Sequence, residues 1–498
     1  MKTFIINMSK IGILLCFIFL SSCDKGFDEI NIDPDETTAE TAPASNIFLR
    51  VIEDIADETY DEDLAVIADL VGFVFGDGIA LYEKGSAGKW GSFYGELKNV
   101  NQILTLTAPD GREANSINHG VARILRVIYY QRLVDLFGAI PYTEGAQGLQ
   151  FPKPKYDSEE TIYKDLVKEL DAAIAEINTG TGLVFNAEVD LVYGGNAANW
   201  ALFANSLKLR IGMRMRFVDQ AAASTIITNA LSGSLINSNE ASWAFKYPGT
   251  EANNSSDLFS INKPTSRFVS ELLLKELRDT NDPRKFVYAD PTGNSNDLYQ
   301  GQVNGLNINF GDATQSIRGS YIWQNRAFPS YLMTHAEVNF LKAEAALANI
   351  GGGDANTAFR AGIRASMEQW DVAEADIVTF LATPTATLTG TDEEKLEQIA
   401  IQKWIALYTN GHEAYAEMRR TGYPAIAQRV ATTDIDRFDA DGNLTTVSVG
   451  YRLGITEGVF PRRVEYPNNE KELNPDNFNA AVSAYGDGLL DRVWWDVR

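Results

Sequence analysis

The sequence predicts a mainly α-helical protein whose helices pack as hairpins, with long loops carrying its functional face. Apolar stripes at helical spacing recur between about residues 120 and 407. Gly/Asn/Thr-rich stretches separate them, roughly at 75–95, 245–325 and 430–480. Loops of that length in a compact protein are usually binding or functional segments. No sequence repeat of fixed period is visible.

The N-terminus is an export signal. Lys2 and Lys10 give a basic region, and Ile11 to Leu20 give a short apolar core. At ~1.5 Å per helical residue that core spans ~15 Å, about half a bilayer's hydrocarbon thickness, too short for a transmembrane helix. Leu20-Ser21-Ser22-Cys23 looks like a bacterial lipobox, so cleavage after residue 22 would leave Cys23 as a lipidated first residue. The alternative is an ordinary secretory signal with a chance cysteine. Residues 24 to about 45 are rich in Asp, Glu, Thr and Pro and read as a tether. No Pro/Ser-rich linker follows, so residues 46–498 are expected to form one body.

The helices follow in order. Val121, Ile124, Leu125 and Ile128 mark one, stopped by Gly138 and Pro141. Asp157 followed by Glu160 resembles a capping box opening a second, with the stripe Ile162, Leu166, Leu170, Ala173 and Ile177. Trp200, Phe203, Leu207 and Ile211 mark a third, with Arg210 and Arg214 stacked at i,i+4. Val338, Leu341 and Ala345 mark a fourth, ended by Gly351-Gly352-Gly353. Leu396, Ile399, Lys403 and Leu407 mark a fifth, near Trp404.

Composition excludes several classes. The formal charge is −24, and loss of Lys2 and Lys10 with the signal deepens it to −26. That balance argues against nucleic acid as a partner. With Cys16 removed in the signal, Cys23 stands alone and no internal disulfide can form. His119, His335 and His412 cannot build a zinc cluster by spacing, so no metal or cofactor is expected. Short enzyme-like strings fail on chemistry. His412-Glu413 opens an HExxH, but Ala416 replaces its second histidine. Gly88-Lys89 suggests a phosphate loop, but Trp90 replaces the Ser/Thr and Glu83 the first glycine. Asp439, Asp441 and Gly442 suggest a calcium loop, but Arg437 and Ser448 occupy ligand positions; a hairpin turn at Asp441-Gly442 explains them better.

Strings spread along the chain resemble the SusD/RagB family of Bacteroidetes outer-membrane lipoproteins. They run from Phe27 to Pro34, Leu133 to Tyr142, Tyr156 to Tyr163 and Phe203 to Arg210. Others are Leu332 to Val338, Lys342 to Ala345, Gly411 to Tyr415 and Met418 to Pro424. Pro461-Arg462-Arg463, Tyr466-Pro467 and Val493 to Asp496 close the series. The resemblance implies a tetratricopeptide-like scaffold of helix pairs with ligand-binding loops. It implies surface capture of oligosaccharides, or in some members peptides, beside a SusC-like TonB-dependent transporter, without catalysis. A surface hydrolase is the third reading. The motif residues themselves look structural: Arg210, Arg419 and Arg420 suit interior ion pairs or carbonyl caps, and Asp135 suits a cap or pair near its turn.

Ligand contacts must come from chemistry, because an aromatic ring takes a sugar's C–H face and polar side chains take its hydroxyls. The first loop region offers Tyr82, Trp90, Tyr94 and Asn101, and the second offers Tyr288, Tyr299, Trp323 and Asn325. Trp90, between Gly88-Lys89 and Gly91-Ser92, is the expected exposed platform. The lipobox makes its own prediction. Fatty-acid labelling should mark the wild type and not Cys23→Ala, and equal labelling of both would end the lipoprotein reading.

Overall fold

A computed structural model describes residues 41–73, 82, 88–251, 254–262, 264, 267–293, 298–306, 308, 310–311 and 313–498. The signal, Cys23 and the tether to residue 40 lie outside the described residues. The chain divides into Met1–Pro43 and Ala44–Arg498, and every element below belongs to the second unit.

Helices dominate it. In chain order they are α1 (Ala44–Tyr60), α2 (Glu62–Ile67), α3 (Gly88–Thr107), α4 (Ser116–Phe137), α5 (Glu159–Thr179), α6 (Ala197–Met215) and α7 (Gln220–Ser232). Then come α8 (Glu271–Asp279), the short α9 (Lys285–Tyr288) and α10 (Ser320–Trp323), and α11 (His335–Leu347), α12 (Ala355–Gln369) and α13 (Glu374–Leu381). Last are α14 (Asp392–Ala406), α15 (Gly411–Thr421), α16 (Asn468–Leu473) and α17 (Pro475–Tyr485). Neighbours in sequence pack as hairpins, most extensively α4 on α5 and α11 on α12. Among the described residues the strands form three antiparallel two-stranded ribbons. They are β1 (Val71–Phe73) with β3 (Arg267–Val269), β2 (Trp243–Phe245) with β4 (Ser330–Met333), and β5 (Thr432–Phe438) with β6 (Leu444–Gly450).

Each sequence stripe lies on the buried face of a helix. Ile162, Leu166, Leu170, Ala173 and Ile177 of α5 are all buried, as are Trp200, Phe203, Leu207 and Ile211 of α6. Gly138 ends α4 with φ 82°, a left-handed value that a Cβ would disfavour. Three expectations are corrected. Ser158, not Asp157, caps α5, its hydroxyl accepting from the Thr161 N–H; the Asp157 carboxylate instead accepts from the Tyr142 and Thr143 N–H groups, tying the α4–α5 connection shut. Residues 88–95 are the start of α3 rather than loop, because Trp90, Phe93, Leu97, Val100 and Ile103 fall on one buried helical face despite the glycines. Residues 430–480 hold the β5–β6 hairpin and α16, not open loop; Asp439 closes that hairpin by accepting from the Asp441 and Asn443 N–H groups at 2.9 Å.

A buried ion network joins these hairpins. Arg210 and Arg214 of α6, Arg216 just after it, Lys403 of α14 and Arg420 of α15 face Asp135 of α4, Glu337 and Glu344 of α11, and Glu413 and Glu417 of α15. Arg210 grips Glu337 through two bonds of 2.8 and 2.7 Å and caps the Leu332 carbonyl. Arg214 reaches Glu413 and Glu417 at 2.7 Å each and Asp135 at 3.3 Å. Arg420 makes paired bonds to Glu344 and to Glu417. Arg419 instead donates to the Tyr415 and Arg462 carbonyls. The ion pairs, the carbonyl cap and the Asp135 pairing expected of these motif residues are all present.

Burial opposes charge on Glu417, but Arg420, Lys403 and Arg214 outweigh it and hold the carboxyl well below its ordinary 4.5. Glu344 is lowered in the same way, chiefly by Arg420. Both depressed acids therefore contribute stability above pH ~4.5 that is lost as pH falls through their lower folded values. Arg420→Met removes the paired bonds that Glu344 and Glu417 share, leaving the first with Arg216 and the second with Arg214 and Lys403, and should cost ~3–5 kcal/mol in denaturant unfolding at pH 7. The deficit should shrink as pH falls below ~4.5, where those acids protonate in the variant; a pH-independent deficit would count against the network.

Candidate functional site

A cleft with a polar lining, about 620 Å³, opens where α1 runs into α2. Asp57, Glu58 and Tyr60 come from the end of α1, and Asp61 and Glu62 from the start of α2. Lys89 enters from the first turn of α3, and the 257–260 segment, Arg267 of β3 and Arg318 complete the wall.

Helix ends place these groups. Asp61 caps α2 from a left-handed conformation (φ 33°), its Oδ1 accepting from the Leu64 N–H. That aims its Oδ2 at Lys89 Nζ, 3.2 Å away, and at His412 Nε2, 3.3 Å away. Gly411 allows the approach of α15, since a Cβ there would lie 2.7 Å from the Ala65 nitrogen and the Asp61 carbonyl. Asp61 stays ionised: burial opposes its charge, but the contacts with His412 and Lys89 outweigh it. Glu58, Asp61 and His412 gather three potential metal-ligand atoms within 4.8 Å of one another. The Lys89 ammonium takes the cation's place there, bonding Glu58 as well as Asp61.

The cations of the cleft are thus engaged: Lys89 as described, Arg267 with Glu62, and Arg318 over the Tyr60 ring with a bond to the Leu258 carbonyl. The carboxylates left over are Asp57 and Asp257. Asp57 accepts from the Tyr247 hydroxyl at 2.7 Å. Burial first, and the nearby charges of Asp257, Glu53 and Asp54, push its pKa up to about 7. Asp257 is exposed and makes no ion pair among the described residues. Phe259 is half-buried, with the Arg326 guanidinium carbon 4.6 Å from its ring centre. Backbone bonds from Ser256 N–H to the Arg326 carbonyl (2.8 Å) and from Ser260 N–H to the Trp323 carbonyl (2.9 Å) hold that segment in place. The arrangement presents an aromatic face beside hydrogen-bonding carboxylates.

The structure redistributes the sequence candidates. Trp90 is 5 % exposed, enclosed by Tyr94, Phe137, Tyr156 and Tyr466 with ring centres 5.0–6.1 Å away. Helical phase turns its ring inward with Phe93, so it offers no stacking face. Tyr82 is buried under Arg429, whose guanidinium carbon lies 3.7 Å from the ring centre. Tyr288 is fully buried and stacked on Tyr408 at 4.3 Å, and Tyr299 is buried against Phe286. Tyr94 is partly covered and donates to the Pro141 carbonyl. Trp323 is half-buried, donating to Asp290 at 3.2 Å, and Asn325 is exposed with its Oδ1 accepting from the Ala327 N–H. Both adjoin the backbone that anchors the 256–260 segment. Asn101 lies in a different cleft. The two expected loop regions do meet in the main cleft, but through Lys89, Asp257, Phe259, Arg267 and Arg318. The acidic run from Asp57 to Asp63, broken by Thr59 and Tyr60, is the local sequence signal of this cleft.

The fold recurs in known proteins. Residues 35–439 match the family SusD-like, described as starch-binding associating with outer membrane, and the chain belongs to that family. A solved chitin-binding protein is 26 % identical, covers 91 % of this chain and 99 % of its own, and superposes with a TM-score of 0.75. A SusD-like protein from Bacteroides thetaiotaomicron is 25 % identical over 92 % of this chain and 99 % of its own, with a TM-score of 0.74. A chitin-binding SusD homolog from Flavobacterium johnsoniae is 25 % identical over 92 % and 98 %, with a TM-score of 0.72. Comparison with curated proteins gave no match. Among the described residues no helix is long and apolar enough to cross a membrane.

Burial of Trp90 sets a prediction. Trp90→Ala should cost ~3–5 kcal/mol of folding stability while leaving ligand affinity of the folded fraction unchanged. Thermal melting and calorimetric titration of one variant separate the two effects; weakened binding with unchanged melting would return Trp90 to the ligand face.

Proposed function

We propose that this protein captures oligosaccharides in the 620 Å³ cleft and hands them to a SusC-like TonB-dependent transporter in the outer membrane. In this reading Cys23 carries the lipid anchor, and residues 24–43 tether the helical body to it. The observation that carries the binding role is the pairing of Phe259 with Asp57 and Asp257 in an open cleft of a SusD-like fold. A pyranose would lay its C–H face on Phe259 and donate hydroxyls to the two carboxylates. A peptide would call for apolar pockets and free main-chain donors, and the charged lining of this cleft favours sugar over peptide. The carboxylates left over would hold hydroxyls, and the proposed role is binding without turnover.

The test uses soluble protein beginning after Cys23, screened against glycan and peptide arrays and then titrated with starch- and chitin-derived oligosaccharides. Phe259→Ala should weaken binding about fivefold or more, the loss of ~1 kcal/mol expected for one stacking contact. Asp257→Asn, at an exposed position, should weaken it with no change in melting. Peptide binding without glycan binding, or glycan binding indifferent to both variants, would overturn the proposal.

A further inference from the structure

A second cleft, of about 400 Å³, lies farther along α3. From Lys89 to Asn101 that helix rises ~18 Å, so the two clefts are separate sites. Asn101 and Thr105 of α3, Arg126 and Tyr130 of α4, and the loop from Tyr142 to Gln150 form its lining.

No carboxylate is among the described lining residues, in a chain whose net charge is −24. Among the described lining residues Arg126 is the one charged group. The acids nearby are engaged elsewhere. Glu169, which acts on Arg126 at longer range, is bonded by Arg123 at 2.8 Å. Asp165 accepts from the Tyr142 hydroxyl at 2.8 Å, and Asp157 is held by Thr143 and two backbone N–H groups. Arg126 has no ion pair among the described residues, and its buried Nε lacks a hydrogen-bond partner. Its guanidinium carbon stands 5.9 Å from the centre of the Tyr142 ring.

The rest of the lining suits a polyhydroxylated ligand. Asn101 Nδ2 donates to the Ala146 carbonyl at 3.2 Å, and Gln147 Nε2 to the Thr143 carbonyl at 2.6 Å. Those bonds fix the loop and leave the amide oxygens as acceptors. Thr143, Gln147 and Gln150 are exposed at the rim. A planar guanidinium with no carboxylate paired to it among the described residues matches a ligand carboxylate through its terminal nitrogens, and such charge-assisted bonds are the strong ones.

We propose that this cleft binds an acidic sugar, a pyranose carrying a carboxylate, with Arg126 taking the carboxylate and the amides and hydroxyls around it taking the ring hydroxyls. The site stands apart from the main cleft and does not rest on the ligand assigned there. It gives the protein a means of telling acidic from neutral glycans.

The experiment titrates the chain from residue 24 onward with glucuronate, glucose and an N-acetylated dipeptide with a free C-terminal carboxylate, read by ligand-observed NMR. Glucuronate should bind at least tenfold more tightly than glucose or the dipeptide. Arg126→Met should erase that preference while oligosaccharide binding that depends on Phe259 stays unchanged. Should Arg126→Met lower the melting temperature, Gln147→Ala at the exposed rim serves instead and should weaken glucuronate binding at least threefold. Equal affinity for glucuronate and glucose, or a preference that survives both variants, overturns the site. A dipeptide that binds as tightly as glucuronate overturns its assignment to sugars.

Discussion

The architecture depends on a charge-balanced ion network sealed between helix pairs. Its members come from α4, α6, α11, α14 and α15, segments scattered from Asp135 to Arg420. A well-packed apolar core of the same volume would be as stable or more so, because each buried charge gives up its hydration. What the network adds is register. A guanidinium held by two carboxylates accepts one axial placement of its helix, whereas a leucine tolerates several. Arg214 shows the effect: it touches α4 and two turns of α15 at once, so those helices are positioned together.

Register at that depth reaches the main cleft. α15 carries Glu413 and Glu417 into the network, and its first residues place Gly411 against the α1–α2 turn and His412 beside Asp61. Asp61 then orients Lys89 at the head of α3. The floor of the cleft is thus an extension of the same polar interior, opened to solvent where two helices end. Its outer wall has another origin, the 256–260 segment pinned to the backbone of Trp323 and Arg326. A rigid floor with a wall borne by connecting segments lets one scaffold present different ligand surfaces.

The strings that resemble the SusD/RagB family fall largely on this scaffold. Arg210, Glu337, Glu344, Glu413 and Arg420 all sit in family-like strings, and all are buried ion-pair members. Such motifs report how the helices lock together. The cleft residues Asp57, Asp257, Phe259 and Arg318 lie outside those strings, which is why family resemblance named the class of protein and left the ligand open.

Helical class, the order of the long helices and the identity of their buried stripes were legible in the sequence, because a 3.6-residue period is a local property of the chain. The α4–α5 hairpin and the third to fifth stripes followed from it, the Asp441-Gly442 turn from turn chemistry, and the pairing role of the arginines from the family-like strings read physically. Which aromatics face solvent did not. Trp90 sits among glycines and a lysine, a setting that reads as exposed, yet its helix turns it into an aromatic cage built from residues near 137, 156 and 466. Burial of a ring is decided by distant segments that arrive in three dimensions. The same holds for both clefts. Asp57 meets Asp257, and Arg126 is left without an ion pair among the described residues, only because the tertiary fold brings some charges together and commits others elsewhere.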